Sequence, residues 1–297
     1  MDASERKGIV AALVSSALGG SAGALTRYVI GAIDPVTLAG FRFGIAFLLV
    51  LPIALALRSR WPQGKDWYGV AALGILFFCI FFVLYNIALG YTSAARGSLA
   101  LSTLPVATML VGSLLGVEEL TRRKTTGVVI ATGGAALALA AGLANAPAGA
   151  WRGDLTMMGA TLIMAFYSVW SRTLIARSSR LGFLAAGMGF GAAASVAFAW
   201  HAGGFAAVQS FDMEQWVAVT GIGVLGGAAS FYLWVYALEH TTPTRVTNTM
   251  TVNPISASLL AAVLLGEPLG LNLALGVVAV GSGIWIASTS ARQSADT

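Results

Sequence analysis

The sequence predicts an all-α integral membrane protein whose ten transmembrane helices form two inverted five-helix repeats. Three observations predict it. Stretches of roughly 20 apolar residues, each long enough to cross a bilayer core, follow one another with little between them. Basic residues fall almost entirely on one side of the resulting topology. The second half of the chain repeats the first. The spans fall at Gly8–Ile30, Pro35–Leu57, Trp67–Leu89, Ala94–Leu115, Thr125–Leu143, Asp154–Ile175, Gly182–His201, Gln215–Leu238, Pro243–Leu265 and Gly270–Thr289.

Composition excludes other classes. With 57% hydrophobic residues, 10% charged residues and a mean hydropathy of +0.82, the surface is built to face hydrocarbon. The net charge of +5 and pI of about 9.7 are orientation signals and not a nucleic-acid surface. Arg6, Lys7, Arg58, Arg60, Lys65, Arg122, Arg123, Lys124, Arg172, Arg177, Arg180, Arg245 and Arg292 share one side; only Arg27, Arg96 and Arg152 take the other. Both termini are therefore expected in the cytoplasm of a bacterial inner membrane.

Taken in order, span one follows Arg6 and Lys7 and carries Ala22 and Ala24, which imitate a secretory leader and its cleavage site. Its apolar run continues to Ile30 and has a counterpart in the second half, so it is expected to be retained. Span two holds Arg42, the one distinctly intramembrane cation. That side chain would attract a carboxylate, but snorkelling or pairing with Asp34 is the preferred reading. Span three places Phe78, Phe82 and Tyr85 on one face; Cys79 is read there as a small buried hydrophobe without a disulfide partner. Span four carries Ser98, Ser102 and Pro105 at i, i+4 and i+7, hence on one face. Span five closes a first copy over 1–146, and Asn145–Trp151, with Pro147 and Gly149, joins it to a second over 147–297.

Span six adds Tyr167 and Trp170. Span seven carries Gly187 and Gly191; with Gly19/Gly23, Gly40/Gly44, Gly112/Gly116 and Gly223/Gly227 it shows the small-xxx-small spacing of close helix contact. Span eight repeats the aromatic face as Phe231 and Trp234. Span nine repeats the polar face as Thr247, Thr251 and Pro254, with Asn248 and Asn253 where the first copy has Leu99 and Leu104. Span ten completes the second copy. Each proline removes a backbone donor and leaves the carbonyl of Leu101 or Met250 seeking another, either a substrate ammonium or a neighbouring hydroxyl.

The repeat is explicit. A constant offset of 149 aligns Trp67 with Trp216, Gly74 with Gly223, Phe82 with Phe231, Thr92 with Thr241, Arg96 with Arg245, Pro105 with Pro254 and Glu118 with Glu267, without a gap. Five spans per copy, an odd number, invert the second copy relative to the first, and inverted copies suit an alternating-access carrier. A duplicated scaffold without transport is the alternative.

Carboxylates sit only near span ends, at Asp34, Glu118, Glu119, Glu239 and Glu267, which disfavours proton-for-cation exchange and favours a zwitterion or neutral solute. His201, His240 and the lone Cys79 offer no metal-ligand or nucleophile-base spacing, so neither an enzyme nor a metal or cofactor is expected.

The stretch LLGEPLG at Leu264–Gly270, its partner LLGVEEL at Leu114–Leu120 and the proline-bearing helices before them resemble the drug/metabolite transporter superfamily, specifically the EamA-type exporters, over the whole chain. Within that family the chain is most similar to the aromatic amino acid exporters of the YddG type. The resemblance implies an inner-membrane exporter with a cavity lined mainly by helices one, three, four, six, eight and nine. Glu118 and Glu267 are assigned to helix capping and not to the site.

The expected solute is an aromatic or other apolar amino acid. Tyr85, Tyr167, Trp170 and Trp234 would contact its side chain, and Ser98, Ser102, Thr247, Asn248 and Thr251 its backbone ends; Pro105 and Pro254 would break the gating helices. The expected partners are this small molecule and the lipid bilayer, with no nucleic acid and no oligomeric state specified. The alternatives are a multidrug, metabolite or nucleotide-sugar carrier of the same superfamily and, outside transport, a membrane scaffold or receptor.

Overall fold

The computed structural model describes residues 3–92, 97, 100–143, 149–253, 255–256 and 271–288. Ser98, Pro254, Arg96, Glu267 and the LLGEPLG stretch lie outside them. The described residues are helical, with no strand among them: α1 (Ala3–Val29), α2 (Pro35–Ala56), α3 (Asp66–Tyr91), α4 (Leu104–Leu114), α5 (Arg122–Leu143), α6 (Ala150–Arg177), α7 (Arg180–His201), α8 (Met213–His240), α9 (Pro243–Asn248, continued by a 3-10 turn over Thr249–Val252) and α10 (Leu271–Ser288). Within these, Ala3–Thr26, α2, α3, α7 and α8 are long and apolar enough to cross a membrane; Leu104–Leu114 and Leu275–Ala287 are shorter apolar helices.

The starts of these helices have local causes. Asp34 accepts from the backbone N–H groups of Val36 and Thr37, both at 3.0 Å, and Pro35 supplies a preset φ at the first position of α2. Ser179 caps α7 by accepting from Gly182 N at 3.1 Å. Asp212 and Gln215 form a reciprocal capping box at the start of α8. At the joint, residues 144–148 are not described, but Gly149 adopts φ +78°, which glycine takes without steric cost, and α6 starts at Ala150 directly after it.

Three departures from uniform α-helix matter. In α3 and α8, Ile75–Phe81 and Ile222–Ala229 are π-helical, at nearly matching places in the two copies of the sequence pattern. The third is at Pro105. It does not kink a continuous span: the chain turns at Ser102 and Thr103, and Pro105 stands in the first turn of α4, where a missing N–H costs nothing.

Small residues set the packing. α5 lies against α10, α2 against α7, α1 against α8, and the π segments of α3 and α8 against α7 and α2 respectively. A Cβ at Gly74 would fall 2.5 Å from the Gly187 carbonyl, and one at Gly134 would fall 2.7 Å from Ala279 Cβ. The backbones approach closely only because these positions lack side chains.

Gly74→Val is therefore expected to destabilise the fold by about 1–3 kcal/mol, because backbone and not a flexible side chain obstructs the added atoms. Gly44→Ala, with nothing within 4 Å of the added Cβ, should melt with the wild type. Thermal unfolding of the detergent-solubilised protein compares the two.

Candidate functional site

Rings from the three-layer contact of α2, α3 and α8 form the centre. Phe43 packs on Phe82 at 4.7 Å between centroids, Phe78 meets Phe231 edge-on at 5.5 Å, and Phe77 stacks on Tyr167 at 4.0 Å and 13°. Beside them lies a cavity of about 50 Å³. Its apolar wall includes Phe81, Phe82, Phe231, Trp234, Met164 and Met250, and its polar wall comprises Ser15, Arg42, Tyr85, Ser230 and Asn253. A volume of this size admits a few water molecules, whereas sites for whole small molecules occupy about 300–1,000 Å³. The cavity is thus contracted.

Arg42 overturns the preferred sequence reading. It neither snorkels nor pairs with Asp34, but turns into the bundle, 6% exposed, where Nη2 donates to the Gly226 carbonyl at 2.9 Å. Its guanidinium carbon sits 4.4 Å from the Phe82 ring centroid. Asp34 instead accepts both α2 cap bonds on Oδ1, and its Oδ2 is buried without a partner among the described residues.

The predicted site residues separate into groups. Tyr85 and Trp234 line the cavity, and Trp234 is 1% exposed with Nε1 unpartnered among the described residues. Tyr167 is fully buried behind them in the ring cluster, its hydroxyl also unpartnered there. Trp170 points the other way, 51% exposed on α6, with Phe166 at its edge. Thr247 donates to the carbonyls of Pro243 and Thr244, and Thr251 to that of Asn248 at 2.7 Å, so both hydroxyls serve their own backbone. Asn248 is buried with both amide atoms unpartnered among the described residues. Ser102 is buried at the break before α4, and its carbonyl accepts from Thr132 Oγ1 at 3.1 Å. That bond answers Ser102, one residue on from the Leu101 carbonyl that the sequence reading singled out.

Residues the sequence reading left out come mainly from α1. Ser15 donates to the Ser230 carbonyl at 2.7 Å, Ser230 returns a bond to the Ser15 carbonyl at 3.0 Å, and Ser16 meets Thr249 at 2.8 Å. The signal for them was the row of small residues around Gly19 and Gly23, read only as packing.

Both ends of the bundle are tied across helices. At one end Glu118, with its carboxylate nearly inaccessible, accepts from Lys124 Nζ at 2.7 Å and from the Thr244 backbone N–H at 2.9 Å. It does cap a helix start, but that of α9 and not of the helix that follows it. Arg245 pairs with Glu5, Arg180 with Glu239 at 3.1 Å, and Ser179 donates to the Arg60 carbonyl. At the other end Tyr28 donates to Glu214 at 2.9 Å, Thr92 to Asp154 at 2.8 Å, and Asn86 to the Pro35 carbonyl at 2.9 Å. Among the described residues no group of three or more His, Cys, Asp or Glu side chains is placed to hold a metal ion.

The model of the EamA-like transporter family matches residues 6–140 and again 151–289. An uncharacterised transporter of Archaeoglobus fulgidus is 26% identical over 88% of the chain and 91% of its own length. The uncharacterised inner membrane transporter YedA of Escherichia coli K12 is 26% identical over 82% and 79%. A probable terminal-alkyne amino-acid exporter of Streptantibioticus cattleyicolor is 27% identical over 78% and 80%. A solved crystal structure superposes with a TM-score of 0.75 at 21% identity, covering 96% of this chain and 97% of that one, a likeness of fold.

Glu118→Ala is expected to lower stability by about 1–3 kcal/mol, since it leaves the buried Thr244 N–H without its acceptor and the partly buried Lys124 with the Glu119 carbonyl alone. Glu118→Gln, which keeps an acceptor for Thr244, should lose less. Melting temperatures of the purified variants order the three proteins.

Proposed function

Because the chain belongs to the EamA-like transporter family and is a multi-pass membrane transporter, we propose that it exports amino acids, aromatic and other apolar ones favoured. In this reading two inverted five-helix copies exchange conformations so that the cavity opens to alternate sides of the inner membrane. The charge asymmetry of the loops supports cytoplasmic termini.

One observation carries the proposal: a cavity at the meeting of the two sequence copies, walled by Phe81, Phe82, Tyr85, Phe231 and Trp234 and furnished with the uncharged polar groups of Ser15, Ser230 and Asn253. Rings stack on a planar or apolar side chain, and the hydroxyl and amide groups hold a polar head. The name of the Streptantibioticus relative supports an amino-acid solute. The ties at both ends and the contracted volume suit a carrier between its two open states, with the solute gaining entry when one set of ties parts. We assign side-chain contact to Tyr85 and Trp234, with Tyr167 backing the ring wall. Thr247 and Thr251 keep the broken start of α9 in shape, and Trp170 faces outward.

Counterflow tests this. Proteoliposomes preloaded with unlabelled phenylalanine are expected to take up labelled phenylalanine faster than protein-free vesicles. Tyr85→Phe, which removes one hydrogen-bonding group from the wall, should slow exchange about fivefold. No acceleration with phenylalanine, leucine or methionine would sink the amino-acid reading, and acceleration by a nucleotide sugar or a lipophilic cation would move it to a sister class of carrier.

A further inference from the structure

We propose that the Arg42 guanidinium is the seat of an anionic group, a carboxylate, on the transported solute. The proposal rests on the carrier reading above and gives the cavity a charge preference. It follows from what the charge lacks. Arg42 is 94% removed from solvent, in a chain whose surroundings are hydrocarbon and aromatic rings. Such a cation ordinarily brings a counter-charge. Among the described residues no carboxylate forms an ion pair with it: Glu118 pairs with Lys124, Asp66 with Arg177, Glu239 with Arg180 and Glu5 with Arg245, and the bonds that Asp34 accepts come from the α2 cap. Arg42 has one carbonyl, that of Gly226, and the faces of two rings, Phe82 and Phe43.

Holding the Gly226 carbonyl uses one of five N–H donors. Nε is buried without a partner among the described residues, on a side chain that borders the cavity with Tyr85 and Asn253. A planar fork with an unspent donor, on a side chain that lines a mainly apolar chamber, matches the two oxygens of a carboxylate. The Trp234 indole N–H is also unpartnered among the described residues, on another side chain that lines the chamber. Asn253 Oδ1, an unpartnered acceptor, completes the set for a zwitterion's ammonium.

A purely architectural role would be expected in both copies, and it is not. The caps of α2 and α7, Asp34 and Ser179, stand 145 residues apart, the offset that also pairs Gly8 with Gly153 and Arg27 with Arg172. On that register Arg42 corresponds to Gly187, which carries no side chain. The second copy therefore packs its equivalent helix pair without a charge.

The test is competition against labelled phenylalanine counterflow in proteoliposomes of the full chain, together with thermal stabilisation of the purified protein by the same compounds. 3-Phenylpropionate, which keeps the carboxylate and lacks the ammonium, is expected to compete on the order of 30-fold better than phenethylamine, which has the reverse. Arg42→Gln should erase that preference, and Arg42→Lys, a point charge without the fork, should keep part of it. Equal competition by acid and amine in the wild type, or an unchanged preference in Arg42→Gln, would overturn the assignment and leave Arg42 as a clamp on Gly226. Where Arg42→Gln does not fold, the wild-type comparison decides. The two readings fail separately. Stabilisation by 3-phenylpropionate without any phenylalanine exchange would retain Arg42 and reject the amino acid, whereas phenylalanine exchange insensitive to Arg42→Gln would do the opposite. Absence of both competition and stabilisation by the acid would reject the anion site.

Discussion

Hydrocarbon offers neither donors nor acceptors, so every polar atom that this chain carries into the bilayer core has to be answered from within the protein. Regular helix answers most of them. What distinguishes this molecule is how it answers the rest, at the places where helix is broken or widened. The turn before α4 gives its Ser102 carbonyl to Thr132, and the 3-10 turn of α9 gives the carbonyls of Val246 and Asn248 to Thr249 and Thr251. The π segment of α8 gives the Gly226 carbonyl to Arg42. Hydroxyls and one guanidinium thus permit irregular backbone around the cavity, while the polar wall itself comes from side chains such as Ser15, Tyr85 and Ser230 that regular helices carry.

The same accounting leaves a residue of unanswered atoms, and several of them sit at the centre. The Trp234 indole N–H, the Asn253 carbonyl oxygen and Arg42 Nε have no partners among the described residues, and all three residues line the chamber. A site that binds transiently has to hold such atoms ready, and the fold tolerates them because close packing elsewhere, through Gly74, Gly134 and Gly187, is tight.

The helical class and the apolar segments were legible in the sequence because bilayer thickness translates directly into run length. The gathering of Phe78, Phe82, Phe231 and Trp234 was legible from the repeat, and the place of the α4 break from Pro105. The face each helix presents was not. In a chain apolar all round, periodicity does not separate the interior side from the lipid side, so Trp170 and Tyr167, three residues apart on α6, read alike although one is half exposed and the other buried. Arg42 was misplaced for a related reason: distance along the sequence put Asp34 within reach, but Asp34 stays at the start of α2 as its cap while Arg42 turns into the bundle to the Gly226 carbonyl. The π segments carry no proline, and no sequence reading of apolar periodicity distinguishes them from ordinary helix.

The bonds between Ser15 and Ser230, between Glu118 and the Thr244 N–H, and between Arg42 and the Gly226 carbonyl all join one sequence copy to the other. Internal likeness therefore does not make either copy autonomous. During synthesis the first copy leaves the insertion machinery with a buried-to-be cation, a carboxylate and a run of serines whose partners have not yet been translated. The newborn half must keep those groups hydrated or shielded until the ribosome delivers α8 and α9, so the duplication that simplified the origin of this molecule imposes a waiting period on its biogenesis.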